Sequence, residues 1–168
     1  MNPEHLLDLA EQEANPEAVG APRQAVLRRA VSTGYYAVFH RLLWTTAESF
    51  VPARSSLWKS GVLFYRALDH GRTRERCKRL GSNPLGREEQ ALFGFASFSD
   101  DLRLFANYFV RLQELRHRCD YDPTLKISKP QARQAVEDAK KAVSIFNSAL
   151  PDDRTLFISY LLFGIRSP

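Results

Sequence analysis

The sequence predicts an all-α protein, an antiparallel bundle of four to six helices. Three observations point there. Apolar residues recur at steps of three and four along most of the chain, no segment alternates in the manner of a strand, and Pro, Gly and capping residues punctuate the periodic runs. With 168 residues, 44% apolar and 26% charged, the chain is long enough to bury a core as one domain spanning 1–168.

Residues 3–13 read as a short helix with Leu6, Leu7 and Ala10 on one face, followed by breaks at Asn15-Pro16 and Gly20-Ala21-Pro22. A long helix then runs from about Arg23 to Phe50. Its stripe is Leu27, Val31, Gly34, Val38 and Leu42. Glycine inside a helix costs roughly 1 kcal/mol against alanine, so Gly34 predicts close approach of another helix. A second row on this helix, Arg29, Thr33, Tyr36 and His40, gathers a cation, a hydroxyl, a phenol and an imidazole. Pro52 ends the helix or lies just beyond it.

A third helical region is expected from Ser55 or Ser56, as cap, to Leu80, broken near Gly71, with His70 at a helix C-terminus. Its second half is the most basic stretch, with Arg72, Arg76 and Arg79 on one face. Residues 81–95 read as a long loop pinned by Phe93, Phe95 and Phe98. A fourth helix, capped by Ser99 or Asp100, runs to Tyr121 before Asp122-Pro123. Its stripe is Leu102, Phe105, Phe109 and Leu112, continuing to Arg116. Ser128 caps a fifth, Ala-rich helix reaching Leu150. A last helix, about residues 152–164 within an apolar C-terminal segment of 152–168, is apolar nearly all round, as in a helix deeply packed or used in association.

Charge is segregated. Residues 1–20 carry Glu4, Asp8, Glu11, Glu13 and Glu17 and no Lys or Arg. The other 148 residues hold all 24 Lys and Arg against 14 acids, an excess of ten positive charges. A basic body attracts polyanions by long-range attraction and counterion release. The longest greasy stretch, residues 156–165, is about half of a membrane span, so no membrane partner is expected. The acidic start is unlike a secretory or mitochondrial signal, and two distant cysteines, Cys77 and Cys119, read as reduced thiols; together these predict a cytoplasmic protein.

No phosphate-binding Gly-rich loop, HExxH, Gly-x-Ser-x-Gly elbow or dinucleotide fingerprint is present. His117, Asp120 and Asp122 lie near one another at a helix end, which reads as a solvated terminus, so neither metal nor other cofactor is expected. The segment 114–123 (ELRHRCDYDP) stands out. Arg116 and Asp120 are four apart and share a helix face, with Tyr121 at the helix end. It admits two readings: an internal ion pair beside a packed tyrosine, or an arginine held by a carboxylate and aimed at a phosphate, with an imidazole or phenol nearby.

Residues 27–43 (LRRAVSTGYYAVFHRLL), followed about 75 residues later by 116–123 (RHRCDYDP), resemble the HEPN family (higher eukaryotes and prokaryotes nucleotide-binding) in its Asp-Tyr form. Arg29, Tyr35, Tyr36, Phe39 and His40 carry the first block; Arg116, Asp120, Tyr121 and Asp122 carry the second. The resemblance covers about residues 20–150. It implies a HEPN-like helical bundle, a homodimer, and RNA or a nucleotide as ligand. It also implies metal-independent endoribonuclease chemistry, often in toxin–antitoxin or defence systems with a nucleotidyltransferase-like antitoxin partner. In that chemistry the substrate's 2′-OH attacks the adjacent phosphate, a histidine moves the proton and an arginine steadies the phosphate. The alternative is a non-catalytic module that binds a nucleotide or a protein.

The family's Arg-x(4–6)-His motif is degenerate in this chain. With Arg116 as its arginine, positions 121–123 are Tyr, Asp and Pro. His40 from the facing helix is then the candidate substitute. Arg111 with His117 has the required spacing, but six helical steps leave the two about 120° apart. The catalytic candidates are therefore Arg116, Asp120, Tyr121, His117 and His40. The nucleic-acid-binding candidates are Arg29, Tyr36, Arg72, Arg76 and Arg79. Each has a plainer reading: Arg72–Arg79 as a solvated helix face, Tyr36 as core, His40 as a satisfied imidazole.

Overall fold

A computed structural model describes residues 2–16 and 23–165 of the chain. Among these the protein is all-α, without strands. The helices are α1 (Pro3–Ala14), α2 (Gln24–Phe50), α3 (Val62–Tyr65, continuing a 3-10 turn at Trp58–Gly61), α4 (His70–Leu80), α5 (Arg87–Phe93), α6 (Asp100–Tyr121), α7 (Lys129–Ser148) and α8 (Pro151–Phe163). The expected break at Gly20-Ala21-Pro22 lies outside the described residues. The chain divides into two compact units, one drawn from Met1–Arg41 with Tyr108–Ser144, the other from Leu42–Asn107 with Ile145–Pro168.

In the first unit α1 starts on a polar cap, the Asn2 side chain accepting from the Glu4 backbone N–H at 2.9 Å, with Pro3 in the first turn. The N-terminal part of α2 and the C-terminal part of α6 run antiparallel. Tyr35 meets Phe109 edge-on at 5.6 Å, and contacts nearer the start of α2 fall nearer the end of α6. Their apolar stripes, Leu27, Val31 and Val38 against Phe109 and Leu112, are buried as the periodicity requires. The helix α7 begins on a reciprocal cap, in which Ser128 N–H donates to the Gln131 side chain at 2.8 Å and Gln131 N–H approaches Ser128 Oγ at 3.4 Å. Its face of Ala132, Ala135, Val136 and Ala139 is buried. The small side chains let α2 approach closely, so that a Cβ added to Gly34 would lie 3.5 Å from that of Ala139.

In the second unit three expectations are corrected: the end at which His70 sits, the cap at Ser55 or Ser56, and the loop at 81–95. The break expected near Gly71 falls at residues 66–69, just before α4. Asp69 is the N-cap, accepting from Arg72 N–H at 2.8 Å, so His70 opens a helix and does not close one, and Gly71 sits in its first turn. Asp69 outcompetes a glycine break because its carboxylate satisfies an orphan N–H. Ser55 and Ser56 precede a 3-10 turn whose cap position is Leu57. Residues 81–95 are not one long loop. The run Arg87–Phe93 is helical, because Glu88, Glu89, Gln90, Ala91 and Leu92 are strong helix formers and the acids fall in the first turn. Gly94, at φ 77°, ends it in the left-handed conformation.

The aromatic pinning is present: Phe98 packs edge-on against both Phe93 and Phe95 at 5.1 Å, and against Phe157 of α8 at 5.6 Å. Phe157, Ile158, Tyr160 and Leu161 bury one side of α8, while Leu156 and Phe163 remain exposed. Glu89 is buried and accepts from the Tyr160 hydroxyl at 2.5 Å, with Arg79 at 3.5 Å completing its neutralisation. Among the described residues no helix is long and apolar enough to cross a membrane.

Candidate nucleic-acid interface

A cleft of about 700 Å3 opens in the first unit between the start of α2 and the end of α6. From α2 it is lined by Gln24, Ala25, Arg28, Arg29 and Ser32, and from the α6 end by Cys119, Asp120, Tyr121 and Pro123. The walls are fixed by polar contacts between them. Gln24 holds the chain after α6 by exchanging two hydrogen bonds with the backbone of Ile127, at 2.9 and 2.8 Å. The Arg28 guanidinium donates to the carbonyls of Cys119 and Asp122 at 2.6 and 2.5 Å, a cation on the negative end of α6. Ser32 Oγ donates to Asp120 at 2.7 Å.

Behind this wall lies Arg116. Its side chain is 12% exposed, and its Nε sits 2.8 Å from Asp120 Oδ2, the ion pair expected one helical turn apart. A terminal nitrogen donates to the hydroxyl of Tyr36, and the guanidinium carbon lies 5.1 Å from the Tyr36 ring centre and 5.9 Å from that of Tyr35. Burial alone would ease the proton off Arg116. The hydrogen bond to Tyr36 and the negative charge of Asp120 outweigh it, so the pKa rises and the cation is secure.

The predicted catalytic residues are therefore only partly brought together. Arg116, Asp120 and Tyr36 form one cluster, and His40 joins it through Tyr36, their ring centres 6.4 Å apart. Tyr121 is 67% exposed and lines the cleft. His117 is exposed and lies against Tyr121 at 4.9 Å between ring centres, and neither it nor His40 lines the cleft. In the other register Arg111 is taken by Asp138 of α7. Arg29 lines the cleft and pairs with Glu13 of α1 at 2.9 Å.

Arg72, Arg76 and Arg79 lie on α4, in the second unit, and each has an internal partner. Arg72 is 3.4 Å from Asp69, Arg76 donates to the Leu161 carbonyl at 2.5 Å near the end of α8, and Arg79 faces Glu89. The residues that sequence reasoning misses are Gln24, Arg28 and Ser32. In the sequence Arg28 is only one of a pair with Arg29, and nothing in the spacing assigns it to the carbonyls ending α6.

Burial of Cys119 pushes its thiol up to about 11, so the cleft presents it as an inert neutral group. Among the described residues no cluster of His, Cys, Asp and Glu is placed to hold a metal ion. Compared with family models, with curated proteins and with solved structures, the chain gives no match.

Proposed function

We propose that the chain is a HEPN-type RNA-binding protein that takes single-stranded RNA in the cleft between α2 and α6. The observation that carries this reading is the exposed Tyr121 ring beside the largely exposed Arg29 guanidinium in one open cleft. Single-stranded RNA is recognised by bases stacked on aromatic rings while cations track the phosphates, and this cleft offers both. Arg116 is a positioning residue on this reading: it holds Asp120 and Tyr36, and through them Ser32, in place.

A second reading, endonucleolytic cleavage without metal, draws on the run of guanidinium, phenol and imidazole formed by Arg116, Tyr36 and His40. There the RNA's own 2′-OH attacks the adjacent phosphate while His40 takes its proton, the bond from phosphorus to the 5′-oxygen breaks, and the proton passes to that oxygen, leaving a 2′,3′-cyclic phosphate and a 5′-OH, with Arg116 steadying the phosphate. The homodimer and the nucleotidyltransferase-like antitoxin partner belong to the same family reading, and the cytoplasmic setting to the two reduced thiols, Cys77 and Cys119. Exposed Leu156 and Phe163 on α8 support the homodimer.

The test is binding of a labelled oligouridylate by fluorescence anisotropy, with chelator present, followed by analysis of the strand ends. Tyr121→Ala removes a stacking platform worth about 1–3 kcal/mol per base and is expected to weaken binding accordingly. Unchanged affinity in that variant refutes the cleft as the RNA site. Fragments ending in cyclic phosphate that vanish in His40→Ala support cleavage; an intact strand leaves binding alone.

A further inference from the structure

The acidic helix α1 lies along α2 and α7 with its carboxylates on their cations. Glu13 pairs with Arg29 at 2.9 Å and accepts from Thr33 at 2.8 Å. At the other end of the helix Glu4 pairs with Arg41, so α1 runs antiparallel to α2. On α7, Lys140 sits 2.8 Å from Glu11, and Arg133 donates to the Asn15 side chain at 2.5 Å. Beneath these pairs Leu6 and Leu7 are half-buried. The face at steps of three and four is Pro3, Leu7, Ala10 and Ala14, of which Pro3, Ala10 and Ala14 are buried, and Leu9 is exposed.

Three of the contacts that seat this helix are ion pairs, which salt and competing polyanions weaken. Its twelve residues are too few for a stable helix once undocked. Arg29 belongs both to this seat and to the cleft wall.

We propose that α1 is a detachable acidic cover whose carboxylates hold, on α2 and α7, the cations that a nucleic-acid backbone takes when it displaces the helix. The proposal rests on the RNA reading for the identity of the polymer, and it extends the interface from the cleft to Arg29, Arg41 and Lys140. The cover sets a threshold: a strand long or concentrated enough to replace several carboxylates at once opens the face, and a mononucleotide does not.

The test uses the full chain with Glu4→Gln, Glu11→Gln and Glu13→Gln combined, and as control Asp8→Asn, an exposed acid of the same helix. The probes are labelled oligouridylate and the corresponding oligodeoxyuridylate. A released autoinhibitory contact is expected to tighten binding of both by at least about fivefold. Freeing three cations steepens the dependence of log K on log salt by about two, at roughly 0.7 per phosphate on a single strand. Asp8→Asn has little effect, and oligouridylate speeds amide exchange across residues 3–14 of the parent chain.

Binding by the glutamine variant no tighter than by Asp8→Asn, or exchange in α1 unchanged by oligouridylate, overturns the cover. If the triple variant fails to fold, Glu11→Gln alone decides the same question, with an expected slope change of about 0.7. The two proposals fail separately. If Tyr121→Ala weakens binding and the glutamine variant does not tighten it, the cleft stands and the cover falls. The reverse pair of results keeps the cover and removes the cleft.

Discussion

The guanidinium of Arg116 donates to the hydroxyl of Tyr36, a residue 80 positions earlier, while the same guanidinium pairs with Asp120 one turn away. One partner is local and one is long-range, and the cation is nearly buried between them. Its orientation depends on both.

Tyr36→Phe removes the long-range partner and keeps the ring. A buried, charged donor loses its acceptor, so stability is expected to fall by about 1.5–3 kcal/mol. The measurement is urea unfolding, with a lower midpoint at unchanged slope. A midpoint equal to that of the parent chain would show that the hydroxyl does not hold Arg116.

Gly34 reports close packing of α2 on α7, yet the distances leave room for a methyl. An added Cβ would meet Ala139 at 3.5 Å and the Val136 Cα at 3.8 Å, ordinary contact distances. Gly34→Ala therefore recovers helix propensity without a clash and is expected to stabilise the protein by up to about 1 kcal/mol. A larger residue such as leucine has no such room and destabilises. Thermal unfolding separates the two; a lowered Tm for the alanine variant contradicts the geometry.

The pair Glu89 and Tyr160 ties stability to pH at both ends of the scale. Burial works against the Glu89 carboxylate, but the Tyr160 hydrogen bond and the Arg79 charge together hold its pKa below the ordinary value of 4.5. Its contribution is complete above that value and is lost as pH falls through the lower folded one. Tyr160 is pushed up to about 12, first by burial and then by its bond to Glu89, from an ordinary 10.0. Its contribution is complete below pH 10 and is lost as pH rises toward the folded value, because the unfolded chain gives up a proton that the folded chain keeps. Glu89→Gln is expected to flatten the acid limb of a stability–pH curve, and Tyr160→Phe the alkaline limb. Curves parallel to the parent's would dissociate this pair from both.

The all-α class is legible because helical periodicity is a local signal carried by every buried stripe, as in Leu102, Phe105, Phe109 and Leu112. The ion pair of Arg116 with Asp120 is legible for the same reason, since four residues along a helix fix a shared face. Helix ends are less so. His70 and the run 87–93 are misplaced when a nearby glycine is weighted above an aspartate cap or a stretch of strong helix formers.

Local pattern was enough for the long helices, their apolar faces, and the separation of an acidic first helix from a basic body, but not for the short helix at 87–93. Packing between helices is what makes Tyr36 accept from Arg116, Arg28 cap the end of α6, and Glu4, Glu11 and Glu13 find Arg41, Lys140 and Arg29. The reason is physical: local spacing sets which residues share a face of one helix, whereas the partner across the interface depends on how packing turns and slides that face against another.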